Sequence, residues 1–394
     1  VNNKNIKLKA ALLSCCFVTA SINAISGNIP EMARSFNTVD LYIIELISTI
    51  PLLFQMIGIL CGTFISKRIG YKNNIVLAIL LCGISGIIPI FINDIYIILF
   101  VRGIFGFGTG LITTTLLTLI VYFFEGETRS SMIGMQGSIG GLGSLVATFI
   151  AGRLLIYGWN VSFYTYFIAF IILFIFVIFV PAVGKGAIVH NDTKRNLEAK
   201  KVEVHVLFKI IGYAGLMFIS VALATLYIIK CSTLITTQGY GSAQDGSTIL
   251  MLISIGSLCS GAIYGKMVLK MKKFALPVFY VSLVGAFVIA AISSNIFLTL
   301  ISGYLLGFGL MAFVPYIQDI IHREFSTHGE LATSIILVAQ SLGGFSAPYL
   351  GNAISIITPT ITDQFIVCAV FCGILTVISL LLASKNASNN VQNA

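Results

Sequence analysis

Charge is what this chain has least of. Asp, Glu, Lys and Arg make up 9% of its 394 residues, against roughly 25% in soluble domains. With 57% hydrophobic residues and a mean hydropathy of +1.01, that deficit excludes water as the main solvent. Long polar stretches are also missing, and none reaches the order of 50 residues that a separate soluble domain needs. Histidine is rare: His190, His205, His322 and His328 lie in or beside polar loops. They form no HExxH pair, and no GxxxxGK[ST] phosphate loop occurs, so metalloprotease chemistry and direct ATP drive lack their residues. The eight cysteines all fall inside apolar stretches without metal-ligand spacing, which reads as small core residues and calls for no metal and no cofactor.

What is present is apolar sequence in span-length blocks. A membrane-crossing helix needs about 20 apolar residues, because a backbone in hydrocarbon must satisfy its own hydrogen bonds. Segments 10–29, 42–65, 75–93, 96–123, 131–156, 163–181, 210–236, 247–266, 275–293, 297–321, 331–355 and 364–384 meet that test. The expectation is therefore an all-α membrane protein of twelve transmembrane helices, embedded in a lipid bilayer with both termini on one side. Placing the termini in the cytoplasm puts about 19 of the 23 Lys and Arg residues inside, as the positive-inside rule requires for a cytoplasmic-membrane protein. The outward loops then hold mainly acids: Glu31, Asp40, Asp94, Asp245 and Asp363. The net charge of +9 is spread singly and in small clusters between apolar runs, which fits topology and excludes a nucleic-acid face.

The longest polar stretch of the interior, residues 185–209, divides the chain into a six-span half at 1–184 and another at 210–394. Sliding the second half back by about 201 residues aligns the two. Gly106-Phe107-Gly108 falls on Gly307-Phe308-Gly309, Gly58-x-x-x-Gly62 on Gly261-x-x-x-Gly265, and the glycine-rich stretch 137–152 on 340–351. An internal repeat of this kind is the mark of a carrier built from two like bundles. Gly106, Gly108, Gly110, Gly141, Gly343 and Gly344 are expected to pack helices closely, since lipid offers no hydrophobic drive for association and contact must come from the backbones.

Four features resemble the major facilitator superfamily. The segment from Gly62 through Lys67, Arg68, Gly70 and Lys72, between spans 2 and 3, is similar to that family's loop motif. Aligned on Gly70, Lys67 stands where the family has an aspartate. Arg102 with Gly106, Gly108 and Gly110 is similar to the family's motif in span 4, and Glu127-Thr128-Arg129 leads into span 5 with Gly158-Trp159 and Phe163 after it. The fourth feature is the half-chain repeat with its basic linker. The resemblance implies two pseudo-symmetric six-helix bundles and secondary transport of a small organic solute by alternating access. It also implies a loop acid that latches one state through charge pairs, a role that Lys67 puts in doubt. Ala147-Thr148 occupies the place of the Gly-Pro pair of proton-driven drug exporters, whereas Pro348 lies at the equivalent point of span 11.

Candidate solute-binding residues are the polar and aromatic groups inside the spans: Asn23, Gln55, Arg102, Tyr227, Lys230, Tyr316 and Gln340. A cation at membrane depth costs about 2.5 to 3.5 kcal/mol and normally faces a wet cavity or bonds within the bundle. If Arg102 and Lys230 both face a cavity, an organic anion is the natural solute. The alternatives are snorkelling for Lys230 and, for Arg102, bonding to backbone carbonyls or to polar groups of span 1 such as Asn23. Glu45, near the outer end of span 2, and Asp319, near the inner end of span 10, are the candidate proton carriers. Exporter of amphipathic compounds and importer of organic anions both remain open readings. A channel lacks the expected filter loop or charged ring, and a transport-deficient membrane sensor lacks a signalling domain. No pattern points to an oligomer, so function as a monomer is expected, and no enzymatic activity is.

Overall fold

The structure is a computed structural model and describes residues 3–181, 183, 204–271, 274–325 and 329–392. The described residues are helical, with no strand among them. Twelve helical segments are long and apolar enough to cross a membrane: span 1, Ile6–Ser35; span 2, Leu41–Ile69; span 3, Tyr71–Ile90; span 4, Ile95–Phe123; span 5, Gly126–Tyr157; and span 6, Val161–Phe179. The second set is span 7, Val206–Thr237; span 8, Ala243–Val268; span 9, Ala275–Ile292; span 10, Ile296–Ile321; span 11, Leu331–Ile357; and span 12, Ile361–Leu381. Each expected segment corresponds to one of these; spans 1, 2, 5, 7 and 8 run at least five residues longer than expected, and the others agree in length within two. Apolarity marks only the part of a helix that crosses hydrocarbon, whereas the helix itself continues into the interfacial region.

The chain divides into two compact units, Val1–Ile25 with Glu31–Ile211, and Ser26–Pro30 with Gly212–Ala394. Most of the expected linker, residues 185–203, lies outside the described residues.

The two units repeat the same internal arrangement. In the first, spans 2 and 4 pack together, span 3 lies on span 4 and span 6 on span 3; in the second, spans 8 and 10, 9 and 10, and 9 and 12 do the same. The repeat extends to single contacts. A side chain at Gly106 would strike the Pro51 backbone, and one at Gly307 would strike that of Ile253. Gly143 lies against Phe17 just as Gly343 lies against Phe218. Even the helix caps correspond: Asp94 accepts from the Tyr96 and Ile97 N–H groups at the head of span 4, and Asn295 accepts from the Leu298 N–H at the head of span 10. Such caps satisfy amide donors that a helix start leaves open.

One expected pairing differs. Gly58 and Gly62 sit close to span 4, Gly58 against the Phe107 carbonyl and Gly62 against Thr114, but a side chain at Gly261 or Gly265 would meet no atom of the described residues within 4 Å. In span 8 the close approach to span 10 falls about one turn earlier, at Gly256, which lies against the Tyr304 carbonyl and the Phe308 amide. The repeat in sequence is therefore not matched by equal crowding: the crossing point decides which glycine is needed.

Candidate functional site

Span 1 does not run as one continuous helix. It is α-helical over Asn3–Ala20, passes through 3-10 turns at Ser21–Asn23 and Ser26–Asn28, and resumes as α-helix over Ile29–Ser35. Pro30 contributes to the interruption, because it has no N–H to offer the carbonyl four residues back, that of Ser26. A broken helix leaves carbonyls without their usual partners, which hydrocarbon cannot supply.

Arg102 of span 4 supplies a partner. Its side chain is fully buried. The Nη2 group donates to the Ile22 carbonyl in the break at 2.7 Å, and Nε donates to the Ile47 carbonyl of span 2 at 3.0 Å. That second acceptor has a simple origin. In an α-helix the Ile47 carbonyl would accept from the N–H of residue 51, and residue 51 is proline, inside span 2. Nη1 donates to the Tyr166 hydroxyl of span 6 at 2.9 Å, and that hydroxyl reaches the Ser21 carbonyl at 3.3 Å. The guanidinium also lies over the rings of Phe105, 4.8 Å from the centroid, and Tyr166, 5.4 Å. One cation thus ties spans 1, 2, 4 and 6 through oxygen dipoles and aromatic faces. Among the described residues it makes no ion pair.

Around this clasp the first unit places several of the predicted residues. Asn23 lies in the break, partly exposed, and its Oδ1 is buried with no donor among the described residues. Glu45 is fully buried in the first turns of span 2, with Ser48 and Thr49 buried after it. Gln55 is half-buried, and its backbone carbonyl is what a side chain at Gly110 would strike. Gly108 faces span 3 at Cys82 and the Ala78 carbonyl, and Gly141 is buried.

The loop motif is organised by a neutral network. Gly70 takes φ +93°, a backbone region that favours glycine, and this lets span 2 turn directly into span 3. Ser66 donates to the Gly62 carbonyl at 2.7 Å and lies 3.0 Å from the Thr115 hydroxyl. The Asn74 amide donates to Ser66 at 2.9 Å and to Thr115 at 2.6 Å. Spans 2, 3 and 4 are therefore joined at this end by uncharged groups. Lys67, in the family's acid position, is exposed; Arg68 lies over the Phe64 ring at 4.3 Å.

In the second unit, Tyr227 is fully buried. Its hydroxyl meets the Ser302 hydroxyl at 2.5 Å, and its ring stacks on Phe365 and meets Phe287 edge-on. Lys230, one turn further along span 7, is 6% exposed, and its stem lies where a side chain at Gly351 would otherwise sit. Tyr316 is half-buried and edge-on to Phe279. Gln340 is half-buried with Oε1 enclosed, Asp319 is half-buried, and Gly344 is buried beside Gly343. Tyr166, Ser66, Asn74 and Thr115 were not among the expected site residues. The one signal that could have found Tyr166's role is the pair of interruptions, at residues 21–28 and at Pro51, that set carbonyls free near a buried arginine.

A family model described as the Major Facilitator Superfamily matches residues 11–348. Among solved structures, the chain is similar to one titled "Crystal structure of D-xylose-proton symporter", at 15% identity and a TM-score of 0.71, covering 95% of this chain and 96% of that one. At that identity the likeness establishes the fold. No curated protein sequence matches the chain.

Proposed function

This multi-pass membrane protein belongs to the Major Facilitator Superfamily, and from that premise we propose that it is a proton-coupled secondary carrier of a small organic solute. Its place is the cytoplasmic membrane, with both termini inside, and it works by alternating access as a monomer. The observation that carries proton coupling is Glu45, a carboxyl side chain fully enclosed within a membrane-crossing helix. An ionisable group enclosed in a transmembrane bundle normally serves ion or substrate movement. Asp319, half-buried in span 10, is the second candidate.

An organic anion is the better-supported solute class, and Lys230 is the residue that favours it. Arg102 is engaged by backbone carbonyls and a phenol, so its part is to hold span 1 in its broken form. Lys230 is a cation enclosed in a membrane-crossing span of the second unit, and ionisable groups in such places commonly mark a substrate path. Asn23 would add a hydrogen-bond acceptor to the solute path through its buried Oδ1.

The test is a solute panel assayed in proteoliposomes under imposed pH and voltage gradients, with Lys230→Ala in parallel. Saturable, gradient-driven uptake of anions, selectively lost in Lys230→Ala at equal expression, is the expected result. Anion transport at the normal rate in that variant would remove the anionic reading, and transport of amphipathic cations instead would favour an exporter.

A further inference from the structure

Span 6 ends at Phe179, after which Val180 is extended and Pro181 follows. In a continuing helix the Val177 carbonyl would accept from the N–H of residue 181, and proline has none. Lys72 fills that position: its Nζ donates to the Val177 carbonyl at 2.9 Å. Lys72 comes from the first turn of span 3, immediately after the Gly70 turn. Lys7, from the start of span 1, places its Nζ 5.5 Å from the centroid of the Phe179 ring. Two ammonium groups from different spans thus converge on the last turn of span 6, the helix end that carries partial negative charge. An ammonium has three N–H donors, and the carbonyl takes one of those on Lys72. Among the described residues, no ion pair joins either lysine to a carboxylate.

Beside them the surface of span 6 is apolar and open. Phe174 is 69% exposed and Ile178 54% exposed. In a chain of twelve spans such a strip lies against acyl chains, and it belongs to the same last turns of span 6 that the two lysines reach at Val177 and Phe179.

We propose that Lys7 and Lys72 form a binding site for the phosphate of an anionic phospholipid, whose acyl chains lie along span 6. A headgroup with net negative charge fits two cations, whereas a choline headgroup would bring a third positive charge to the same place. Basic residues gathered between helices at the membrane surface are suited to holding lipid phosphates. Binding here would brace spans 1, 3 and 6 through one ligand.

The experiment uses the full chain, purified and delipidated in detergent, titrated with phosphatidylglycerol or phosphatidylcholine and read by native mass spectrometry as bound lipid. It needs no transported solute, so its outcome is independent of the carrier reading. Preferential binding of phosphatidylglycerol is expected. Lys7→Gln, which leaves the cap on Val177 untouched, should weaken it about fivefold. Adding Lys72→Gln should weaken it further by a similar factor, while Lys72→Arg keeps binding and Lys270→Gln, in the second unit, leaves it unchanged. Unaltered binding in the double variant, equal loss in Lys270→Gln, equal affinity for phosphatidylcholine, or displacement of the lipid by inorganic phosphate would each overturn the proposal.

Discussion

Arg102 shows how a buried cation is tolerated without a counter-ion. Its Nε, Nη1 and Nη2 groups donate to the Ile47 carbonyl opposite Pro51, the Tyr166 hydroxyl and the Ile22 carbonyl in the span-1 break. Lysine presents a point charge where arginine presents a planar fork, so Arg102→Lys cannot serve all three at once. It should lower the thermal midpoint followed by circular dichroism in detergent, and Arg102→Ala should lower it further. Each carbonyl left buried and unpaired costs roughly 1 to 3 kcal/mol. Tyr166→Phe removes one hydroxyl and should cost about 1 kcal/mol. An Arg102→Ala protein as stable as the parent would contradict the clasp. The arginine was legible in sequence as an isolated charge in an apolar run. Its partners were not, because they are backbone oxygens freed by a proline 51 positions earlier and by a local helix break. Residue identity alone does not mark a carbonyl as available.

At the scale of helices, legibility followed the physics that dominates in lipid. Twelve spans could be read from apolar length alone, since hydrocarbon admits few alternatives to a helix. Their close crossings could be read only in part: Gly106 and Gly307 both meet facing backbone, at Pro51 and Ile253, whereas Gly261 and Gly265, matched in sequence to the crowded Gly58 and Gly62, are themselves uncrowded. The loop motif was likewise visible, while the neutral Ser66, Asn74 and Thr115 network was not, since Thr115 joins it from 41 residues beyond Asn74. These readings give a direct comparison. Gly106→Ala and Gly307→Ala push a methyl group into facing backbone and should each cost about 1 to 3 kcal/mol by overpacking. Gly261→Ala should be neutral or stabilising by about 0.4 to 1 kcal/mol, through the reduced freedom of the unfolded chain. Chemical denaturation in mixed micelles separates the two classes; equal destabilisation by all three would show that the crossings have been misplaced.

The whole molecule is built from two halves with one internal plan. The Phe17–Gly143 and Phe218–Gly343 contacts, and those of Gly106 and Gly307, recur at an offset of about 201 residues between the two units. The family supplies the activity class, and the enclosed Glu45 supplies the proposed coupling. These together define what the carrier should do when its gradient is changed. The decisive measurement is solute movement in proteoliposomes by the parent and by Glu45→Gln, each assayed for accumulation driven by a pH gradient and for exchange of labelled against unlabelled solute at equilibrium. The account predicts that the parent performs both, and that Glu45→Gln keeps exchange while losing accumulation. Undiminished pH-driven accumulation in Glu45→Gln, or flux in the parent that never saturates with solute concentration, would contradict it.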